Sequence, residues 1–344
     1  MTLNNLKECL GFADEIAVIG REKMIDGVFC HIVGLVRKEK SINLIALTYD
    51  EEYREMIENA EYESFHIRGK KQTNRIIQRD EFRFAKKDIF ECADKINFGE
   101  KQFRVTGKSS TLLANTENLI VLFYEFIKNG WDPQMIGDYD TEQLYFESIE
   151  LAEETESLAE IDSDHIEFVK HNGSGRFLIE KKIKLTVGGK SKKVTFKDKQ
   201  TGESYVSFIN SVSLFDIRAE FLKNFDDPEF KKRVTPQELE ELKSDTMRNI
   251  SGMCPEGMRL ISVEYECDDA GLQFYLQSFL DSEPDYSGDG PMGIILGRSD
   301  KKSGDHGMKL KTAVIQSPVP PDTKEIEAEI FSGFRTVKNE NFTI

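Results

Sequence analysis

The sequence predicts a mixed α+β protein: mostly antiparallel sheets with packed helices, in two domains. Three observations predict this. Short apolar or alternating runs of strand type, bounded by turn residues, recur, as in GVFCHIVGLVRKE, MRLISVEYECD and HGMKLKTAVIQ. Helical spacing with capping residues recurs between them. The 344 residues exceed one ordinary core, and an acidic stretch separates two patterned regions. Hydrophobic residues make up 39% and phenylalanines number 24, enough apolar surface to offset chain entropy on folding.

The elements follow in order. LNNLKECLGF has the spacing of a short helix. GVFCHIVGLVRKE and INLIALTYD, joined by the polar turn Lys38 to Ser41, form an antiparallel hairpin by pattern. DEEYREMIENA opens with acidic residues, as a helix N-terminus prefers. YESFHIRG and NRIIQRDEFRF are expected as strands, KKDIFECADKI as a helix, and GEKQFRVT as an edge-type strand. After Gly107, the positions Leu112, Leu113, Leu119, Ile120, Phe123, Phe126 and Ile127 fit one face of a long helix. Ser109 or Ser110 would cap that helix and Asn129-Gly130 would stop it.

From Asp138 to Asp164 there are eleven acidic residues and no Lys or Arg. This stretch, with TEQLYFESIELAEETESLAE expected as helix, is the predicted connector. The domains are then 1–135, an α+β unit; 136–164, the acidic helical connector; and 165–344, a second α+β unit. Charge reverses next: between Arg176 and Lys199 nine Lys or Arg residues face two acids. FLIEKKIKLTV and KSKKVTFKD around Gly188-Gly189 read as a basic β-hairpin. YVSFINSVSLFDIRAEFLKNF fits helix or strand, with a helix favoured for its second half. Thr235-Pro236-Gln237-Glu238 is a capping box with Pro at the first helical position. LQFYLQSFL fits helix or strand, SEPDYSGDGP a loop, and MGIILG a strand. DTKEIEAEIFSGF is expected as a final helix capped by Asp322 or Thr323.

The formal charge of −16 argues against general binding to nucleic acid or an anionic membrane, which needs clustered cations. The five cysteines, Cys9, Cys30, Cys92, Cys254 and Cys267, are odd in number and contain no C-x-x-C, which argues against a disulfide framework. MTLNNLKECLGFADE lacks the basic and apolar regions of a signal peptide, and apolar runs such as Leu119 to Tyr124 are too short to span a bilayer. These features predict a protein of the reducing cytoplasm.

Three sets of residues carry candidate chemistry. Gly107, Lys108 and Ser109 match the end of the phosphate-loop pattern G-x-x-x-x-G-K-[ST], but Gln102 replaces its opening glycine. Lys108 and Ser109 are therefore candidates for nucleotide binding at a degenerate loop. Asp285, Asp289, Arg298, Asp305 and His306, with Glu283 and Asp300 nearby, gather carboxylates around one His, a set suited to metal-assisted hydrolysis or group transfer. Lys182, Lys184, Lys192 and Lys193 would present a cationic face to an acidic partner. Because every enzymatic motif is incomplete, the favoured reading is a non-enzymatic cytoplasmic module that binds another protein, with no cofactor. Nothing in the sequence sets its oligomeric state.

Overall fold

A computed structural model describes residues 13–66, 72–115, 119–133, 136–152, 157–226, 228–268, 270–284 and 303–344. The strands in chain order are β1 (Glu15–Ile25), β2 (Val28–Lys38), β3 (Ser41–Asp50), β4 (Ala93–Phe98), β5 (Lys101–Leu112), β6 (Tyr145–Ala152), β7 (Ile166–Lys170), β8 (Gly173–Thr186), β9 (Lys192–Lys197), β10 (Ser204–Phe215), β11 (Arg259–Glu266), β12 (Gly271–Leu276), β13 (Leu310–Val319), β14 (Glu325–Val337) and β15 (Phe342–Thr343). The longer helices are α1 (Glu51–His66), α2 (Asn74–Arg83), α3 (Leu119–Lys128), α4 (Ile217–Phe225) and α5 (Pro236–Met253). Strand outweighs helix, so the protein is predominantly β and mostly antiparallel rather than evenly α+β.

Contacts divide the described residues into two compact units. One lies within Met1–Arg68, Phe84–Gly173 and Val337–Ile344, the other within Gly69–Arg83 and Ser174–Thr336. In the first, eight antiparallel strands run in the order β1-β2-β3-β6-β5-β4-β7-β15. The sheet buries both faces, which is why β2 and β3 are nearly continuous apolar runs. One face holds Ile32, Leu44, Phe98, Phe103, Ile149 and Phe168. The other packs Val33, Ile45 and Leu47 beneath Leu122 and Phe126 of α3, with Trp131 beside them. The sheet curls enough that Lys23 of β1 donates to the Thr343 carbonyl of β15 at 2.8 Å.

The second unit contains a four-stranded sheet, β13-β11-β10-β9, and a three-stranded sheet, β12-β14-β8. Their inner faces share one core, including Phe177, Ile183, Val194, Phe196, Val263 and Ile330. Helices α4 and α5 bury a smaller cluster around Ile217, Ile250 and Leu260. Arg75 ties α2 down: its guanidinium reaches both oxygens of buried Glu329 at 2.8 and 3.0 Å and Asp281 at 3.0 Å.

Several expectations hold. The β2–β3 hairpin forms in antiparallel register. Asp50 accepts from the Tyr53 amide at 3.0 Å at the start of α1. The capping box of α5 is complete, with Glu238 N–H to Thr235 Oγ1 at 3.3 Å and Thr235 N–H to Glu238 at 2.7 Å.

Others are corrected. Residues 107–112 are strand, not helix, because this half of β5 is laddered to β6, residue for residue from Gly107 to Leu112; α3 begins only at Leu119. Ser109 and Ser110 therefore cap nothing. TEQLYFESIELAEE does not form the expected helix: Tyr145–Ala152 is β6, flanked by β3 and β5. KKDIFECADKI is a turn followed by β4, and NRIIQRDEFR is the helix α2 rather than a strand. YESFH lies in α1. DTKEIEAEIFSGF leads into β14, the middle strand of its sheet. The basic segment is not a paired hairpin: β8 and β9 belong to different sheets. The predicted N-terminal helix and MGIILG lie outside the described residues.

Candidate functional site

The separation of β8 from β9 opens the candidate site. The two strands follow one another in sequence, but the turn between them is held by other strands. Val187 N–H donates to the Lys324 carbonyl and Gly188 N–H to the Val212 carbonyl, both at 2.9 Å. At the far end Lys199 N–H meets the Leu178 carbonyl at 2.8 Å. Between these two closures the strands part. A groove of about 450 Å³ lies there, lined by the apolar Ile183 and Val194 and by Lys181, Lys182, Lys184, Lys192 and Lys193, with Gln277 and one carboxylate, Glu327, also on its wall. It continues past Phe196 toward Lys197 and Lys199.

Local backbone geometry concentrates the lysines. Glu180 adopts a φ of 53°, a left-handed conformation that is uncommon outside glycine. Its carboxylate is paired with Arg79 of α2. The irregularity breaks the in-out alternation of β8, so Lys181 and Lys182 are both exposed before Ile183 turns inward. Lys192 and Lys193 are likewise exposed in succession on β9, ahead of buried Val194. Lys184 pairs with Glu325 at 2.8 Å, and this hydrogen-bonded carboxylate raises its pKa. Lys181, Lys182, Lys192 and Lys193 have no carboxylate within ion-pair distance among the described residues. All four lysines singled out from the sequence thus line one groove, and Lys181 joins them. Lys181 was legible only through the backbone irregularity at Glu180, which no residue pattern announces.

The acids of the predicted connector find partners in their own unit. Asp164 pairs with Arg21 at 3.1 Å and Glu160 with Lys101 at 3.6 Å. Glu147 is buried and takes Lys86 Nζ at 2.7 Å, Ser110 Oγ at 2.8 Å and Thr48 Oγ1 at 3.1 Å.

The phosphate-loop candidates sit in mid-strand. Lys108 is opposite Ile149 and Ser109 opposite Ser148 in the β5–β6 ladder. A phosphate loop needs backbone amides converging at a helix start, and this stretch is instead extended strand paired to β6, with no helix beginning at it. The Lys108 ammonium is paired with Asp88, and burial holds its pKa below the usual lysine value.

Of the acidic set, Asp285, Asp289, Arg298 and Asp300 lie outside the described residues. Glu283 is exposed beyond the helical turn Gln277–Leu280, and Asp305 stands exposed beside His306. His306 is placed against a group that sequence reasoning missed, the fully buried Glu266. Its Nδ1 is 2.9 Å from Glu266 Oε1, and its ring stacks on Phe208 at 3.8 Å. Glu266 also accepts from Asn210 Nδ2 at 2.7 Å and from the amides of His306 and Met308 at 3.0 and 3.1 Å. Burial pushes the carboxyl up, but these donors outweigh it and bring its pKa to about 2. The carboxylate thereby fastens the turn before β13 and fixes the imidazole. Glu266 ends an apolar strand and nothing near it in sequence marks it as paired.

Among the described residues no group of three or more His, Cys, Asp and Glu side chains could hold a metal ion. Cys30, Cys254 and Cys267 are buried and Cys92 is half-buried, all as thiols rather than disulfides. Core His31 accepts from Trp131 Nε1 at 3.0 Å, and burial pushes its pKa down. No described helix is long and apolar enough to cross a membrane. In comparisons with family models, curated proteins and solved structures, nothing matches the chain.

Proposed function

We propose that the chain is a non-enzymatic cytoplasmic module that binds an acidic segment of another protein in the lysine-lined groove between β8 and β9. One observation carries this reading: five lysines from two strands line a single groove that holds one carboxylate, Glu327, and four of the lysines form no ion pair among the described residues. Like charges held together repel, and an anionic partner relieves that repulsion. The floor of Ile183 and Val194 adds apolar surface that a mobile polyanion would not use.

The test is fluorescence anisotropy with labelled Glu-rich peptides and a single-stranded oligonucleotide of matched charge. The lysines are exposed, so K182E/K184E/K193E is expected to fold normally and to weaken peptide binding by about tenfold or more. Unchanged affinity in that variant, or tighter binding of the oligonucleotide than of every peptide, would overturn the reading.

A second reading rests on His306, whose Nδ1 contact with buried Glu266 orients the ring as a general base requires. It extends the metal-assisted hydrolase or transferase alternative. Titration calorimetry with Mg²⁺, Mn²⁺, Ca²⁺ and Zn²⁺ tests the metal part: heat abolished by His306→Ala supports it, and no heat from any ion overturns it.

A further inference from the structure

The topology around the groove points to how a partner would lie in it. We propose that the acidic segment binds as an extended strand between β8 and β9, with acidic and apolar residues alternating along it. This rests on the acidic-partner reading above and adds the mode of binding.

The first ground is hydrogen bonding. β8 ends the three-stranded sheet and β9 ends the four-stranded sheet, so each turns one edge away from its own ladder. A strand edge offers a row of N–H and C=O groups that an added strand can pair with. The open stretch is bounded by the Lys199–Leu178 contact at one end and the captured turn at Val187 and Gly188 at the other. It covers residues 180–185 of β8 and 192–197 of β9, about the length of an ordinary strand.

The second ground is side-chain alternation. On both edges apolar residues are buried at alternate positions, Ile183 and Leu185 on one and Val194 and Phe196 on the other, while Lys182, Lys184, Lys193 and Lys197 take the outward positions between and beside them; Lys181 and Lys192 share the inward parity yet are exposed. A strand laid between them would point alternate side chains at that floor and at the lysines. Apolar residues suit the first set and Asp or Glu the second. A neutral strand would leave the repulsion among the closely spaced lysines unrelieved, so the edge favours acid.

Lysines on open edges also keep sheets from pairing with each other, a role that needs no ligand. The experiment separates these cases. Three labelled peptides of about ten residues are compared by anisotropy: alternating Glu and Val, the same composition with Glu and Val in separate blocks, and the alternating peptide N-methylated at every second residue. The alternating peptide is expected to bind about tenfold more tightly than the block peptide, and N-methylation to remove that advantage. Amide exchange in residues 181–185 and 192–197 is expected to slow on binding. If the alternating and block peptides bind equally and exchange is unchanged, the strand mode is wrong while the acidic-partner reading stands. If no acidic peptide binds, both are overturned and the lysines serve only to guard the edges.

Discussion

Glu266 shows how one buried carboxylate can be kept ionised by what surrounds it. Its side chain is fully buried, yet the donors of Asn210, His306 and Met308 hold its pKa at about 2, below the ordinary 4.5. A depressed folded pKa gives stability that is complete above pH 4.5 and lost as pH falls from there toward 2. Glu266→Gln keeps the shape but presents an amide N–H to at least one of those donors. It is expected to lower stability by about 2 kcal/mol in urea unfolding near neutral pH. The gap from the native protein should narrow as the pH is taken below 4.5 toward 2. A gap independent of pH would mean the carboxylate is not the titrating clamp. Glu147 poses the converse problem, since its charge is paired directly with Lys86 at 2.7 Å while Lys108 acts on it from farther off. Lys86→Met leaves that charge buried and is expected to cost about 3–5 kcal/mol. The double variant K86M/E147L removes both charges and should recover most of the loss. Equal losses in the single and double variants would assign the effect to packing of Lys86 over the Tyr145 ring instead.

At the scale of elements, local signals decide the ends of helices more than their existence. The α5 start is written in four residues, and both reciprocal bonds of the capping box form. Thr235→Ala removes the hydroxyl acceptor and is expected to cost about 1 kcal/mol, measurable as faster amide exchange in the first turn of α5. That helix was legible because its signal needs no distant partner. β2, β3, β11 and β13 were legible because alternation or a continuous apolar run coincided with turn residues. The failures share a cause. In β6 the letters Glu, Leu and Ala favour helix, yet Phe146, Ile149 and Leu151 are buried by strands far away in sequence. In β14, Ile326, Ala328 and Ile330 alternate at period two inside a Glu-rich stretch, and placement between β8 and β12 overrides the propensity. The region after Gly107 merges the end of one strand with α3, so a single apolar stripe was read across two elements. Among site residues, the groove lysines were visible as a charge run. The parting of β8 from β9 was not, because it depends on hydrogen bonds from Val187 and Gly188 to strands elsewhere.

At the scale of the whole molecule, two charge distributions act on any acidic ligand. The chain as a whole carries −16 and repels it, while the groove lysines attract it at short range. These terms respond differently to salt. The screening length is about 30 Å at 0.01 M and about 8 Å at 0.15 M, so moderate salt removes repulsion from distant carboxylates first. Contacts of a few ångströms between Glu side chains and Lys182 or Lys193 are screened less over that range. Only near 1 M, where the screening length is about 3 Å, are the close pairs weakened strongly. Affinity for the alternating acidic peptide is therefore expected to rise between low and moderate ionic strength and then fall. Charge reversal in K182E/K184E/K193E leaves Lys181 and Lys192 against three new carboxylates, so repulsion outweighs attraction and in that variant any residual affinity should only rise with salt. Anisotropy titrations across this range check both curves. A steep fall from the lowest salt onward in the native protein would show that the lysine field dominates at every distance, and that the net charge of the chain plays no part in choosing its partner.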